Sequence, residues 1–228
     1  MSNLSSKRTF AIRIACNLAL FFCLFMTVCC NSAEPERNSS TQAMTTPVAQ
    51  DSLEQIAGKL SELYNSKNCK EFINTFPSSF ELFDQLYGYD DGRGGRRLYS
   101  KYEEHISYFS NCSEVPNRVK LDKVINIGLG GRWEADASGL LQEVALKLVK
   151  DDPNTAKEIL NALPDDKASS FWFYLFDGPH PGHPQKVKDI RLLRDLLGKK
   201  SKQSKLLLEQ YKELLALNEE DKASGVIH

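Results

Sequence analysis

The sequence lacks the short motifs that mark several common enzyme classes. It contains no H-E-x-x-H, C-x-x-C or G-x-S-x-G pattern, so the usual metal-site motifs and the usual serine nucleophile motif find no support in it. The glycine-rich stretch IGLGGRW, residues 127–133, lacks the Lys-Ser/Thr of a P-loop, and Trp133 stands in place of the third glycine of G-x-G-x-x-G. We interpret this stretch as a tight turn between helices, and we expect no cofactor.

The sequence also lacks an excess of basic residues. Lys7, Arg8 and Arg13 are the only charged residues among the first 30, so the rest of the chain carries 26 basic and 30 acidic side chains, a net charge of −4. Binding to a nucleic acid duplex needs a concentrated basic face. Nucleic acid is therefore not expected as the ligand.

One long apolar run is present, at residues 14–28, with Asn17 inside it and basic residues before it. This pattern is typical of an export signal, and the run is shorter than the roughly 20 residues of a membrane-spanning helix. A retained, uncleaved membrane anchor is the alternative. In both cases the basic residues stay in the cytoplasm, so the chain after residue 30 is predicted to lie outside it.

The end of this run, TVCCNSAEPER, resembles the lipidation site of bacterial lipoproteins, where a cysteine thiol receives diacylglycerol. The resemblance implies lipidation at Cys29 or Cys30 and a place in the bacterial cell envelope, on the periplasmic side of a membrane. Ordinary cleavage near Ser32 or Ala33 would instead release a secreted protein. Residues 31–50 are polar and are predicted to form a flexible spacer between the signal, residues 1–30, and a globular domain, residues 51–228.

Two of the six cysteines, Cys69 and Cys112, lie beyond the signal region. Because exported proteins meet an oxidising environment, this pair predicts a disulfide. Two buried free thiols are the alternative.

The hydrophobic period from Asp51 onward is helical almost everywhere. Asp51 and Ser52 are expected to cap the first helix. Residues 117–129 favour a helix, with a strand as the alternative. We find no fixed-period repeat, and the pattern predicts one all-α domain, an irregular array of about eight or nine antiparallel helices.

The stretch SSFWFYLFDGPHPGHP, residues 169–184, combines an apolar segment with two histidines. Apolar residues cover every direction around a helix at residues 171–176, which predicts a core helix, with an exposed patch for a partner or for lipid as the alternative. Asp177, His180 and His183 follow at a spacing of three, and together they form a candidate zinc or iron site. A rigid connector between helices is the other interpretation.

Two positively charged segments are candidate partner-binding surfaces. Arg93, Arg96 and Arg97 lie in the glycine-rich loop DDGRGGRR and can receive an anion. Residues 186–205 hold eight basic and two acidic side chains, among them Lys199, Lys200 and Lys202. This face suits an acidic protein or anionic lipid head groups, and a solvated surface is the alternative for both segments.

The leucines of the second segment are expected on the buried side of its helix. They are Leu192, Leu193, Leu196 and Leu197.

Four segments resemble recurring blocks of uncharacterised exported bacterial proteins: FPSSFELFDQLYGYDD, LYSKYEEHISYF, GGRWEADASGLLQ and FWFYLFDGPHP. The resemblance covers most of residues 68–181 and implies no known activity. The sequence favours a lipid-anchored envelope protein that binds a protein or an envelope component without catalysis. A metal-dependent hydrolase centred on Asp177, His180 and His183 is the alternative.

Overall fold

The computed structural model describes residues 47–90, 92–134 and 136–224, with side chains from residue 52 to residue 220. All of them fall within the compact unit Thr45–His228. This part of the chain forms ten α-helices, one 3-10 helix (Tyr99–Lys101) and two short antiparallel strands, β1 (Tyr89–Asp90) and β2 (Gly94–Gly95). The helices are α1 (Pro47–Asn65), α2 (Cys69–Thr75), α3 (Phe80–Tyr87), α4 (Tyr102–Asn111), α5 (Asn117–Gly128), α6 (Asp136–Asp151), α7 (Pro153–Asn161), α8 (Asp165–Phe176), α9 (Pro184–Leu197) and α10 (Lys202–Ser224).

The all-α prediction is confirmed, although the described helices number ten rather than eight or nine. Within the residues described, no helix is both long enough and apolar enough to cross a membrane. Residues 117–129 are helical up to Gly128, because Leu121, Val124 and Ile125 repeat at helical spacing and are all buried. The strand alternative for this segment is wrong.

The first helix begins earlier than predicted. Helix α1 starts at Pro47, inside the segment assigned to the flexible spacer, and Asp51 and Ser52 lie within it rather than capping it. Proline suits the first turn of a helix, because its fixed φ is helical and its missing N–H would have no partner there. Residues 47–50, PVAQ, were grouped with the polar residues before them, and this grouping concealed the start of the helix.

Helix α8 forms the aromatic centre of the C-terminal half. Its residues Phe171 to Phe176 are all buried, so the prediction of a core helix is confirmed and the exposed patch is wrong. Trp172 Nε1 donates a hydrogen bond to Gln203 Oε1 of α10 at 2.9 Å, and Gln203 Nε2 donates to Asn161 Oδ1 of α7, also at 2.9 Å. One buried amide therefore joins three helices around the indole.

The structure joins Cys69 and Cys112 as a disulfide, with 5.9 Å between their Cα atoms. Cys69 begins α2 and Cys112 follows the last residue of α4. The Nζ of Lys120, from α5, donates to the carbonyl oxygens of Ser110 and Cys112 at 3.1 and 3.0 Å. The covalent link and the ammonium group together fix the C-terminal end of α4.

The buried imidazole of His105 makes the stability of the N-terminal half sensitive to acid. His105 Nδ1 shares a hydrogen bond of 3.0 Å with the Tyr87 hydroxyl, and the rings of Tyr64 and Phe72 pack against it. Burial lowers the pKa of His105 to about 4, because the effect of burial is larger than the opposing effect of the Glu104 carboxylate. The unfolded chain has an ordinary histidine pKa near 6.5. Between pH 6.5 and pH 4 it therefore binds a proton that the folded chain does not bind.

We expect the free energy of unfolding to fall by up to roughly 3 kcal/mol between pH 6.5 and pH 4 through this one group. His105→Gln keeps a hydrogen-bonding side chain that does not titrate. Between pH 6.5 and pH 4 the free energy of unfolding of this variant should therefore fall by roughly 3 kcal/mol less than that of the original chain. Urea unfolding at a series of pH values measures the difference. Parallel pH curves for the two proteins would contradict the assignment.

Candidate functional site

The loop between α5 and α6 carries a half-exposed tryptophan and lies directly on α8. A Cβ added at Gly128 or at Gly131 would lie 2.8 Å from the ring of Tyr174, so only glycine allows this approach. Gly130, at φ +74°, turns the chain, and its N–H donates to Ser170 Oγ at 3.2 Å. The predicted turn is confirmed, and it presents Trp133, whose exposed fraction is 38%.

Asp177, directly after the last residue of α8, also holds this loop. Its Oδ2 accepts the Trp133 N–H at 2.9 Å, and its Oδ1 accepts the Gly178 N–H at 2.9 Å. The carbonyl oxygens of Phe176 and Asp177 accept hydrogen bonds from Lys186 Nζ at 3.1 and 3.3 Å, and burial lowers the pKa of Lys186. These hydrogen bonds connect the end of α8 both to the loop that carries Trp133 and to the start of α9.

Two open clefts meet at Trp133. The larger has a volume of about 440 Å³ and lies between α4 and α6; we call it the Trp133 cleft. The smaller, of about 310 Å³, lies between α6 and the segment from α8 to α9. Trp133, Gly139 and Glu143 line both clefts. One indole thus forms a shared wall that a ligand in either cleft would contact.

The Trp133 cleft is acidic and aromatic. Helix α6 contributes Asp136, Gly139, Leu140 and Glu143 at the i, i+3, i+4, i+7 spacing of one helix face. Helix α4 contributes Tyr102, Glu103 and Ser107. Asp136 and Glu103 lie in the first turns of their helices, where the helix dipole favours a carboxylate. The described lining includes three carboxylates and no basic side chain.

Tyrosine hydroxyls hold two of these carboxylates. Tyr99 donates to Asp136 Oδ2 at 2.9 Å, and Tyr102 donates to Glu103 Oε1 at 3.1 Å. The hydrogen bond to Asp136 is the main reason why the pKa of Tyr99 is raised. The rings of Tyr89, Tyr99 and Tyr102 follow one another with centroids 5.1 and 5.6 Å apart, so an aromatic row leads to the cleft.

The structure does not assemble the candidate metal site. Asp177 directs both carboxylate oxygens to backbone N–H groups, and His183 Nδ1 accepts the Gln185 N–H at 3.3 Å as the cap of α9. His180 is exposed with a left-handed backbone, at φ 62°. Among the residues described, no group of three or more His, Cys, Asp or Glu side chains is placed to hold a metal ion. The geometry therefore favours the connector interpretation of this segment.

The arginine loop uses two of its three side chains within the fold. Arg96 pairs with Asp90 at 3.5 Å, and Arg97 pairs with Glu54 at 2.5 Å. Arg93 is exposed and forms no ion pair with another described residue. Of the three predicted anion-binding residues, Arg93 keeps the most freedom to meet a partner.

The basic C-terminal segment is also partly neutralised. Lys199 pairs with Asp195 at 3.1 Å, and Lys202 pairs with Asp165 at 2.5 Å, while Lys200 is exposed without an ion pair to a described residue. The expectation that four leucines of this segment are buried is wrong for two of them. Leu193 and Leu197 lie in the core, but Leu192 and Leu196 are exposed, because the core takes only one side of α9.

The predicted lipidation sites Cys29 and Cys30 lie outside the described residues. The Trp133 cleft itself was not predicted. Its signal was present in GGRWEADASGLLQ and LYSKYEEHISYF, since both segments contribute to its walls. Each segment by itself indicates a helix or a turn, and no residue in it shows that the two segments lie side by side.

No protein-family model, curated protein or solved structure matches this chain. The resemblance to exported bacterial proteins therefore stays a prediction.

Proposed function

We propose that this protein is an exported, lipid-anchored component of the bacterial cell envelope that binds a partner without catalysis. The Trp133 cleft carries the proposal. It is an open cleft whose walls offer an exposed indole and three carboxylates. The anchor would be lipid on Cys29 or Cys30, or an uncleaved N-terminal segment.

The chemistry of the cleft suits a partner that presents ammonium or guanidinium groups. Carboxylates attract such groups, and the face of an indole adds a cation–π contact of about 0.5–2 kcal/mol. Lysine or arginine side chains on an envelope protein supply these groups.

A short oligolysine peptide titrated into the full chain tests this proposal. Chemical shift changes should cluster at Trp133, Leu140 and Glu143, and Trp133→Ala should weaken binding about three- to thirtyfold. Glu143→Gln should weaken it to a smaller extent and reduce its dependence on salt. Leu217→Ala, at an exposed leucine of α10, is the matched control and should leave the affinity unchanged.

Two outcomes would contradict the proposal. One is an affinity that Trp133→Ala does not change. The other is a set of shift changes that lies away from the cleft.

A further inference from the structure

An exposed stripe of basic and apolar side chains runs along α9. Its members stand at positions i, i+3, i+4, i+7, i+8 and i+11, so they lie on one side of the helix. We call this set the α9 stripe: Lys188, Arg191, Leu192, Asp195, Leu196 and, just past the end of the helix, Lys199. The opposite side, with Ile190, Leu193 and Leu197, is buried and holds α9 in the fold.

Two leucines form the apolar part of the stripe. Leu192 is 46% exposed and Leu196, one turn further on, is 38% exposed. Single exposed leucines are common on protein surfaces, but two that adjoin on one helix face among cations form a small continuous patch. Exposure of this apolar patch to water is unfavourable, and contact with another apolar surface would remove it from water.

The charge of the stripe selects the kind of surface. With the neighbouring Lys200 it carries four cations, at Lys188, Arg191, Lys199 and Lys200, against the single carboxylate of Asp195, a net charge of +3. Asp195 is paired with Lys199. Lys188, Arg191 and Lys200 are exposed and form no ion pair within the described part of the chain. A counterpart with dense negative charge would therefore meet three cations that have no internal partner.

We propose that the α9 stripe rests on the surface of an anionic phospholipid bilayer. The two leucines enter the boundary between head groups and acyl chains, and the cations meet the lipid phosphates. Long basic side chains can keep their charge at the head groups while their stems follow the apolar surface. The exposed face of a helix can lie along a flat bilayer.

This inference rests on the proposed function in one respect. The patch is small, so its contact with lipid is weak unless the anchor holds the domain near the membrane and raises the effective concentration.

The test uses the full chain reconstituted in lipid nanodiscs that carry a paramagnetic head-group label. In discs containing anionic phosphatidylglycerol, the methyl signals of Leu192 and Leu196 should be attenuated, whereas those of Leu217 should persist. Leu217 is 43% exposed on α10 and is an internal control in the same molecule. Lys188→Gln/Arg191→Gln should lower the ratio of contacting to free domains about tenfold or more, and zwitterionic discs should have a similar effect.

The outcomes separate the stripe from the anchor. One result is a chain that enters the discs and shows equal attenuation of the Leu192, Leu196 and Leu217 methyl signals. This result would contradict the contact between the α9 stripe and the bilayer and would leave the proposed anchor intact. A chain that stays out of discs of both compositions would overturn the anchor and the stripe together. Soluble polyglutamate provides the last comparison. If it shifts the Leu192 and Leu196 methyl signals while the discs do not attenuate them, the stripe binds an acidic protein rather than the bilayer.

Discussion

Trp172→Ala is expected to lower the free energy of unfolding by about 3–5 kcal/mol, the range for removing a large aromatic side chain from a core. The indole is fully buried in α8, and helix α8 packs against α10. Loss of the Trp172 indole would leave a cavity and would also remove the hydrogen-bond donor to Gln203 Oε1. The unpaired, buried amide oxygen of Gln203 adds to the cost of the cavity. Urea unfolding followed by far-UV circular dichroism measures the change.

Two further variants separate packing from hydrogen bonding at this position. Trp172→Phe keeps an aromatic ring but removes the N–H, so it should cost less than Trp172→Ala. Trp133→Ala removes the other tryptophan, which is 38% exposed, and it should cost less than about 1 kcal/mol. Similar losses for Trp172→Ala and Trp133→Ala would contradict the view that α8 is the centre of the C-terminal core.

Removing the disulfide is expected to destabilise the fold by about 4 kcal/mol, because a link across 43 residues restricts the unfolded chain strongly. Cys69→Ala/Cys112→Ala should produce this loss under oxidising conditions. The buried positions of both residues tolerate alanine with only a small packing cost. Calorimetry of the two proteins would report it as a lower melting temperature.

A reducing agent provides the control for the disulfide variant. It should destabilise the original chain by a similar amount and have no effect on the double variant, which has no cysteine left after Cys30. A loss below about 1 kcal/mol would mean that the packing of α2 against α4, together with the Lys120 hydrogen bonds, already holds these helices in the unlinked protein.

Local signals in the sequence mark the ends of several helices. Ser79 caps α3 by accepting the Leu82 N–H, as a serine before an apolar period should. Pro153 stands in the first turn of α7, and Gly198, at φ +86°, ends α9. Each of these helix ends depends on a few neighbouring residues, and for that reason a single sequence carries the signal.

The errors and omissions depend on contacts between distant segments. Four leucines of α9 look equivalent in the sequence, but the direction from which the core packs decides that Leu193 is buried and Leu192 is exposed. The spacing of Asp177, His180 and His183 suggested a metal site, but the Asp177 carboxylate accepts the Trp133 N–H, a backbone group 44 residues away. The Trp133 cleft joins residues of α4 and α6, and no local pattern records which helices become neighbours.

The two tryptophans of the chain sit in opposite surroundings, and this gives the protein two separate optical reporters. Trp172 is fully buried, whereas Trp133 is partly open to water. The indole of Trp172 should fluoresce at shorter wavelength and resist quenching by acrylamide, while that of Trp133 should emit further to the red and be quenched readily. A ligand in the cleft would therefore alter the red component alone, and unfolding would alter the blue one.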